Sequence, residues 1–512
     1  MASAVNTDGQ FDREKTSASW EEQTPTVTCV QNLDSDVLTM IFEYLDIPTL
    51  KASALVCKLW KELIYLPKFW RTITPTISLE YFNIVVAESI QERGIESICF
   101  YMTEKSCFDM NLCEYLNKAK VNSLTIRNLF LEGFSSRPLL EGQLKHIQKL
   151  VVHQSREDSP DRVSLQEGLL ILLKSFLNLR RLHLLINTNT HWDPHGIIGK
   201  RQHENINIEI ATETVSNSTL NLIDLDIKPI PLRMIDSTDS AMRSLSNLKQ
   251  LKELKRISLG DVRERIEFQF TYWSNRPWSC SGPPLEQLPE FFPELKHLEI
   301  YYDQCVLDFP TDTGCKKLES LSIAAHPLQP NTTMMKTLPL FISHCPLLKA
   351  LDLRGTRLSL AELTLTAQSC PQLELLDISF IRFFGKFHSV LDVIADKLTK
   401  LKILLIVGCN FTAGGGVDPR VHISSNFLPK LVHLESIQGI EYSDVDIDDF
   451  AEVPLKYISL GRSRTRLRGN EHAVTIVDHQ SYARNVRGSW SLVEDLDDMV
   501  WEKAWGFNYF KL

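Results

Sequence analysis

The stretches CPLLKALDL (345–353) and CPQLELLDI (370–378) repeat one pattern of apolar residues. In each copy, apolar residues stand at relative positions 0, 3 and 5, counted from Leu348 in the first and from Leu373 in the second. Side chains alternate between the two sides of a β-strand, so positions 3 and 5 share one face and positions 2, 4 and 6 share the other. The pattern therefore predicts a short strand that buries one face and presents the second face separately.

The same triplet recurs thirteen times along the chain. Its copies begin at Ile95, Val121, Ile147, Leu179, Leu222, Leu254, Leu295, Leu318, Leu348, Leu373, Leu401, Leu431 and Leu455. The intervals between starts are 26, 26, 32, 43, 32, 41, 23, 30, 25, 28, 30 and 24 residues. Most lie at or near the period of roughly 20–29 residues that is typical of leucine-rich repeats. The two longest intervals predict insertions near 187–220 and 261–293, and the copy at Leu431 is weaker because Ser436 fills its last place.

Helix-like stretches lie between the predicted strands, for example Met334–Cys345 and Leu360–Cys370, which both end in Cys-Pro. Strands alternating with helices predict a parallel sheet. We expect an α/β solenoid of about thirteen repeats, with a curved parallel sheet on the concave face and helices on the convex face. We expect this solenoid to cover residues 73–480.

A different pattern precedes the repeats, in VQNLDSDVLTMIFEYLDIPTLKASALVCKLWKELIYLPKFW (30–70). Apolar residues recur there at helical spacing, and Pro48 suits the first turn of a second helix. The segment predicts three short helices over 29–72, preceded by a polar arm over 1–28 without periodicity, which we expect to be disordered. About forty residues can hardly bury enough apolar surface to be stable alone. We therefore expect this unit to bind a partner.

This segment resembles an F-box. The resemblance rests on Leu33, Ile41-Phe42, Tyr44-Leu45, Leu50, Leu55-Val56-Cys57, Trp60 and Trp70. The array that follows resembles the cysteine-containing leucine-rich repeats that commonly follow an F-box. Two departures stand out: Leu33 is followed by Asp34 instead of Pro, and only Asn187 and Cys409 supply the Asn or Cys expected three residues after a strand triplet.

The resemblance implies the substrate-recognition subunit of a cullin–RING ubiquitin ligase. The F-box would bind the Skp adaptor and the repeats would hold a protein substrate for ubiquitination. The adaptor-binding residues implied are Leu33, Ile41, Leu45, Leu50, Val56 and Trp60. The chain itself would be no enzyme and would need no cofactor. The alternative is a repeat scaffold whose F-box is degenerate at Asp34 and which delivers nothing for ubiquitination.

Strand alternation also indicates candidate substrate-binding residues. Positions 2, 4 and 6 bring Arg127, Lys149, His153, Arg181 and His183 together near the N-terminal half, beside Asp224 and Asp226. In the late repeats the same positions hold Leu375, Ile403, Leu405, Val407, Ile437 and Tyr457. In the second insertion, Trp273 and Arg276 have the composition that protein interfaces favour, although packing on the solenoid edge explains them equally well.

The C-terminal segment 481–512 is rich in aromatic residues near its end. Disordered segments are poor in aromatic residues, so we expect this segment to cap the last repeat or to fold back over the late apolar positions. Arg462, Arg464, Arg466 and Arg468 alternate just before it and could meet an acidic segment, although a solvated turn fits them better.

Other patterns point to no chemistry. The formal net charge of -9 argues against a general nucleic-acid-binding role. Asp444–Asp449 lacks the Gly and Glu of a calcium loop, and Gly414–Gly416 lacks the Lys of a phosphate loop. His191, His195 and His203 lack ligand partners at a convincing spacing, so no metal site is expected. With neither a signal peptide nor a membrane span in the sequence, we expect a cytoplasmic or nuclear protein that binds neither membrane nor nucleic acid.

Overall fold

The computed structural model describes most of the chain from residue 33 to residue 493. The described ranges are 33–45, 47–71, 73–103, 110–130, 142–155, 162–187, 206–219, 221–230, 244–259, 287–302, 309, 311–325, 337–356, 358–379, 381–383, 387–406, 410–413, 416–417, 431–434, 436–441, 455–468, 472–484 and 490–493. The chain divides after Trp70 into two compact units.

The first unit is a set of four short helices. They are α1 Ser35–Phe42, α2 Ile47–Ser53, α3 Lys58–Ile64 and α4 Pro67–Trp70. The predicted start of the second helix is confirmed, since Pro48 lies in the first turn of α2, and α4 adds a fourth helix to the three predicted. Asp34 occupies the N-cap position of α1. The Asp34 carboxylate makes no capping hydrogen bond. The negative charge of Asp36, in the first turn, interacts favourably with the positive end of the α1 dipole.

Aromatic side chains form the centre of this small unit. Phe42 is 1% exposed, and its ring meets the edge of Trp60 at 5.2 Å and Phe69 at 6.4 Å between centroids. Trp70 stacks on Tyr65 and donates its indole N–H to the Ile64 carbonyl oxygen at 2.7 Å. This bond links α4 to the end of α3 and provides the buried indole N–H with an acceptor.

The second unit is a repeating strand–helix array. Its strands are β1 Thr76–Ser78, β2 Ser97–Tyr101, β3 Ser123–Leu129, β4 Lys149–Gln154, β5 Arg181–Asn187, β6 Asp224–Ile230, β7 Arg256–Leu259, β8 His297–Tyr302, β9 Ser320–Ala325, β10 Ala350–Asp352, β11 Leu375–Asp377, β12 Arg382–Phe383, β13 Ile403–Leu405, β14 Asn410–Ala413, β15 Gly416–Val417, β16 Ser436–Glu441, β17 Tyr457–Arg468, β18 His472–Arg484 and β19 Trp490–Val493. Its helices include α5 Ile84–Glu92, α6 Met110–Ala119, α7 Arg162–Lys174, α8 Ile206–Ser218, α9 Leu288–Phe291, α10 Leu338–Ser343, α11 Leu360–Ser369 and α12 Phe387–Lys397.

Among the described residues, sixteen strands form one sheet in chain order. Within this sheet every pairing from β1 to β17 is parallel, and β18 and β19 are added antiparallel at the end. The short strands β12, β14 and β15 form a separate sheet of three. This order confirms the predicted solenoid, because each repeat adds one strand beside the previous one and contacts mainly its neighbours.

The register explains why the apolar triplet recurs. Position 3 of each repeat lies beside position 3 of the next, as in Leu124, Leu150 and Leu182, and these side chains are fully buried. The predicted helices at Met334–Cys345 and Leu360–Cys370 appear as α10 and α11. The triplets therefore form continuous apolar rows that stack through the sheet.

The twelfth repeat is in a different register from the predicted one. Ile437 pairs beside Leu404 and Ile458, so it occupies position 3, and Leu434 takes the place of position 0. The predicted triplet starting at Leu431 is therefore wrong by three residues. The weak match at Ser436 followed from this shift: Ser436 lies beside Ile403, at position 2. The prediction that placed Ile437 on the sheet face of positions 2, 4 and 6 is wrong for the same reason.

Cysteine thiols close two of the repeat helices. Cys345 donates its Sγ–H to the Phe341 carbonyl at 3.4 Å, and Cys370 donates to the Thr366 carbonyl at 3.1 Å. Burial raises the pKa of Cys345 to about 11 and that of Cys370 to about 12, so both remain neutral thiols. They behave as buried small hydrophobes with a weak donor.

The end of the array departs from the strand–helix alternation. β17 is a twelve-residue strand that contains the alternating arginines 462–468, and β18 pairs antiparallel along its whole length. β18 runs through residue 480, where the sequence suggested the solenoid would end. The arginine row therefore lies on a strand and not on a turn.

Several predictions fall on residues outside the described ranges. They concern the arm 1–28, the residues 188–205 of the first insertion and 260–286 of the second, the acidic stretch Asp444–Asp449, and the aromatic residues beyond 493. In the described part of the chain, no helix combines the length and the apolarity that crossing a membrane requires.

Candidate functional site

The four-helix unit exposes large apolar side chains. Tyr44 is 88% exposed, Leu55 86%, Met40 61% and Val56 59%. Val37, Ile41 and Leu59 are exposed to a smaller extent. We call these seven residues the apolar surface of the helical unit. Seven large apolar side chains exposed on so small a unit favour a site of protein contact.

The predicted adaptor-binding residues are distributed between this surface and the layer beneath it. Ile41 and Val56 are exposed, Leu33, Leu45 and Trp60 are half-buried, and Leu50 is buried. The indole N–H of Trp60 is buried, and among the described residues it has no hydrogen-bond partner.

Sequence reasoning missed Met40 on this surface. Of the apolar residues of α1, Leu38 and Phe42 are buried in the core, whereas Val37, Met40 and Ile41 are exposed. The helical spacing does carry the signal, because Met40 continues the line of Val37 at i and i+3.

A second candidate site lies on the sheet face that carries positions 2, 4 and 6, which we call the second face. The register brings Lys149 beside Arg181, Arg181 beside Asp224, and Asp224 beside Arg256. These residues all stand at position 2 of consecutive repeats. Neighbouring strands are roughly 4.8 Å apart, so the charges of adjacent repeats interact directly.

The early repeats concentrate positive charge. Arg127, Lys149, His153, Arg181 and His183, which we call the cationic cluster, lie on β3, β4 and β5. Burial, and then the neighbouring Arg181, lowers the pKa of Lys149. Burial, followed by Arg127 and His183, lowers the pKa of His153 to about 4, so His153 is neutral at pH 7.

Three nitrogen atoms of this cluster are buried without a hydrogen-bond partner in the described structure: Nε of Arg127, Nε2 of His153 and Nε2 of His183. His183 Nε2 stands 3.7 Å from an Asp224 carboxylate oxygen, too far for a hydrogen bond. Buried polar groups normally find partners, so three such atoms on neighbouring strands are an unusual concentration.

The next repeats are acidic but internally neutralised. Arg256 donates to Asp224 at 2.8 Å and stands 3.7 Å from Asp226. Although burial opposes it, the attraction of Asp226 and Asp224 raises the pKa of Arg256. Both aspartates were predicted as candidate binding residues from the sequence, whereas their partner Arg256 was not, although it stands at position 2 of the next repeat. Asp226 is only 2% exposed, so it presents almost no surface to a partner.

Further along the same face, polar groups are paired across repeats. Ser258 donates to Glu299 at 2.9 Å, and Ser322 donates to Asp352 at 2.8 Å. Arg354 bridges Asp352 at 2.8 Å and Asp377 at 3.1 Å. Burial, and Asp352 beside it, raise the pKa of Asp377 to about 7, against the opposing effect of Arg354. This arrangement holds neighbouring strands together and is closed to solvent.

The late apolar positions are mostly covered. Leu375 and Leu405 are 3% and 2% exposed, and Ile403 is half-buried. The remaining predicted substrate-binding residues, Val407, Trp273 and Arg276, lie outside the described ranges. Among the predicted substrate-binding residues that are described, Arg181 is the most exposed and therefore the most accessible to a partner.

Within the part of the chain that the structure describes, no three His, Cys, Asp or Glu residues are grouped so that they could hold a metal ion. What the described sites offer is apolar area in the first unit and fixed charge in the second. Both are means of binding other molecules.

Comparisons with known proteins agree with this division. The family profile described as F-box-like matches residues 32–76. An internalin (inlF) from Listeria monocytogenes is similar in structure at 12% identity and a TM-score of 0.31, covering 73% of this chain and 75% of that chain. The structure of a TLR13–ssRNA13 complex is similar at 14% identity and a TM-score of 0.35, covering 72% of this chain and 46% of that chain. The chain therefore carries an F-box-like domain at residues 32–76, and its own sheet order makes the array that follows a solenoid.

Proposed function

We propose that this protein is the substrate-recognition adaptor of a cullin–RING ubiquitin ligase. The F-box-like domain binds a Skp-type adaptor, and the solenoid holds a protein substrate for ubiquitination in the cytoplasm or nucleus. The observation that carries the proposal is the F-box-like match at 32–76, on helices that leave an apolar surface exposed.

The physical argument begins with the size of the helical unit. Four helices of four to eight residues bury few large side chains, and Tyr44 and Leu55 remain almost fully exposed. Burying apolar area is worth about 25 cal/mol per Å², so an adaptor that covers this surface gains free energy and stabilises the unit.

The role proposed for the chain is positioning. Tethering a substrate to the ligase raises its effective concentration near the ubiquitin-conjugating enzyme, and this requires no catalytic group in the tether. Adaptor binding by one unit and substrate binding by the other are sufficient for this role.

Adaptor capture tests the proposal. Val56→Glu places a charge on the apolar surface without disturbing the core, because Val56 is 59% exposed. We expect capture of purified Skp adaptor by the full chain to weaken at least ~30-fold, corresponding to the ~2 kcal/mol of an interface hot spot. Leu365→Glu is the matched control, since Leu365 is 53% exposed on α11. Absence of capture by the wild-type chain would refute the proposal.

The alternative is a binding scaffold without ubiquitin delivery, favoured by Asp34. It stands where the F-box pattern has Pro, and its side chain makes no capping bond. Asp34→Pro should strengthen adaptor capture if Asp34 weakens a contact that still forms. A scaffold predicts no capture by either form, and no accumulation of bound partners when the proteasome is inhibited.

A further inference from the structure

The cationic cluster on the second face is too little neutralised to be only a structural element. Arg127, Lys149 and Arg181 have no ion-pair partner among the described residues, whereas Arg256, three strands beyond β4, is paired with Asp224 and Asp226. Nε of Arg127 and Nε2 of both histidines are buried without a hydrogen-bond partner in the described structure. An anionic ligand would neutralise the unpaired charge of the cluster.

The positions of the charges indicate an extended ligand. Lys149 and Arg181 stand at position 2, His183 at position 4, and Arg127 and His153 at position 6. Four residues of strand separate the first group from the last, roughly 13 Å at about 3.3 Å per residue. A single phosphoryl group cannot span that distance, whereas an extended peptide with carboxylates at alternate residues presents them with the same period.

Charge elsewhere on the chain argues against non-specific attraction. The formal net charge is -9, and Asp224 borders the cluster on β6. An acidic ligand is therefore repelled by the protein as a whole and attracted only where the local cations outnumber the acids.

We propose that the cationic cluster binds an extended acidic segment of a partner protein, with carboxylates at residues i, i+2 and i+4. This inference rests on the proposed function, and it names the class of segment by which a substrate is held.

A set of synthetic peptides tests the proposal by fluorescence anisotropy with the full chain. The central sequence Glu-Ser-Glu-Ser-Glu is compared with Gln-Ser-Gln-Ser-Gln, and with Glu-Glu-Glu-Ser-Ser, which has the same charge in a different order. We expect the alternating peptide to bind at least tenfold more tightly than the glutamine peptide and at least threefold more tightly than the contiguous one. Equal binding of all three would overturn the proposal.

Variants locate the binding to the cluster. Arg127→Glu with Arg181→Glu should abolish the preference for the alternating peptide, whereas Lys249→Glu with Lys400→Glu, at exposed positions outside the strands, should retain it. Because Arg127 is partly buried, Arg181→Glu alone repeats the test at an exposed position, where an at least fivefold weakening is expected. Unchanged affinity in Arg181→Glu would overturn the proposal.

The pH dependence gives a second readout, and His153→Gln separates it from the general rise in positive charge at lower pH. His153, on β4, has Arg127 of β3 on one side and His183 of β5 on the other, and Asp224 lies beyond His183. Its pKa of about 4 leaves His153 neutral at pH 7. A bound carboxylate raises that pKa, so binding takes up a proton. Affinity should therefore rise as pH falls from 7 to 5, and His153→Gln should reduce this rise.

Two other ligand classes are outcomes of the same assay. A peptide with one phosphoserine, or a single-stranded RNA, that binds tenfold more tightly than the alternating peptide and depends on Arg181 would replace the acidic segment as the ligand. Adaptor capture is measured on the same variants in parallel. Lost capture counts against the proposed function, and lost peptide discrimination with intact capture counts against this inference alone.

Discussion

Replacing Arg354 should destabilise the middle of the solenoid more than any surface substitution. Its guanidinium stands 2.8 Å from Asp352 and 3.1 Å from Asp377, and both carboxylates are 1% exposed. Arg354→Met retains most of the side-chain volume and removes the positive charge. Two buried carboxylates on neighbouring strands then face each other without the cation.

The magnitude follows from that geometry. Removing one partner of a buried ion pair costs about 3–5 kcal/mol, because the remaining charge stays desolvated. Asp352 retains the Ser322 hydroxyl at 2.8 Å, and Asp377 retains the Ser379 backbone N–H at 2.8 Å, so the lower half of that range is expected at pH 7.5.

Acid should partly restore the loss. Burial already raises the pKa of Asp377 to about 7, and the removal of Arg354 raises it further. The folded form then binds more protons than the unfolded form, whose carboxyl titrates near pH 4. Stability is therefore present at low pH and falls as pH rises through the folded pKa. Each pH unit in this window is worth about 1.4 kcal/mol, so lowering the pH from 7.5 to 5.5 should stabilise Arg354→Met by about 2–3 kcal/mol. Wild type gains about 2 kcal/mol over the same range, because its Asp377 has a pKa of about 7, so about 1 kcal/mol of the loss relative to wild type should be recovered.

Amide hydrogen exchange in β10 and β11 is the suitable assay, because repeat arrays open locally and one global unfolding free energy does not describe them. Arg354→Met with Asp377→Asn should recover at least half of the lost protection. Lys402→Met is the matched control, since it removes an exposed ion pair to Glu374 and should cost less than about 1 kcal/mol. Protection within about 0.5 kcal/mol of wild type in Arg354→Met, or a loss that is the same at both pH values, would refute the reasoning.

Three further predictions concern single positions. Gly314→Ala should lower the melting temperature measured by circular dichroism, because its Cβ would stand 2.6 Å from the His344 Cβ and 2.7 Å from the His344 carbonyl oxygen; an unchanged melting temperature would contradict this close approach. Ser359→Ala should reduce exchange protection in the first turn of α11 by about 1 kcal/mol, since it removes the capping box with Glu362, and Ser359→Asp should retain most of it. The buried thiol of Cys370 should not react with a thiol reagent at pH 8 until the chain unfolds, because burial raises its pKa to about 12; rapid modification of the folded chain would contradict its burial.

The sequence predicted the repeat architecture because a buried strand face leaves a direct trace in composition. Leu348, Leu351 and Leu353 belong to a triplet whose spacing is fixed by the alternation of side chains, so the strands could be located one by one. The exception, the repeat at Leu431, shows the limit of the method. From the sequence, Leu434 fits position 3 of a triplet that begins at Leu431 and also position 0 of a triplet that it begins itself. Only the pairing of β16 with β13 shows that Leu434 is at position 0.

The candidate sites were predicted less completely, because the sequence shows which residues share a face but not which are paired or covered. Arg181, His183 and Asp224 were placed together correctly by the register. Alternation alone could not reveal that Arg256 neutralises Asp224, since that depends on where a long side chain points once the strands are adjacent.

The sequence by itself determined the order of the two units and, for every repeat except the twelfth, the strand position and the face on which its residues lie. These follow from local periodicity and hold wherever the strands pair in chain order. The tertiary structure alone decided which polar groups of the second face are satisfied. Arg354 closes the pair formed by Asp352 and Asp377, whereas Arg127 and His153 retain buried nitrogen atoms without a partner in the described residues. Burial and pairing depend on distances between residues that are about 30 positions apart in the chain, and no local pattern of residues specifies those distances.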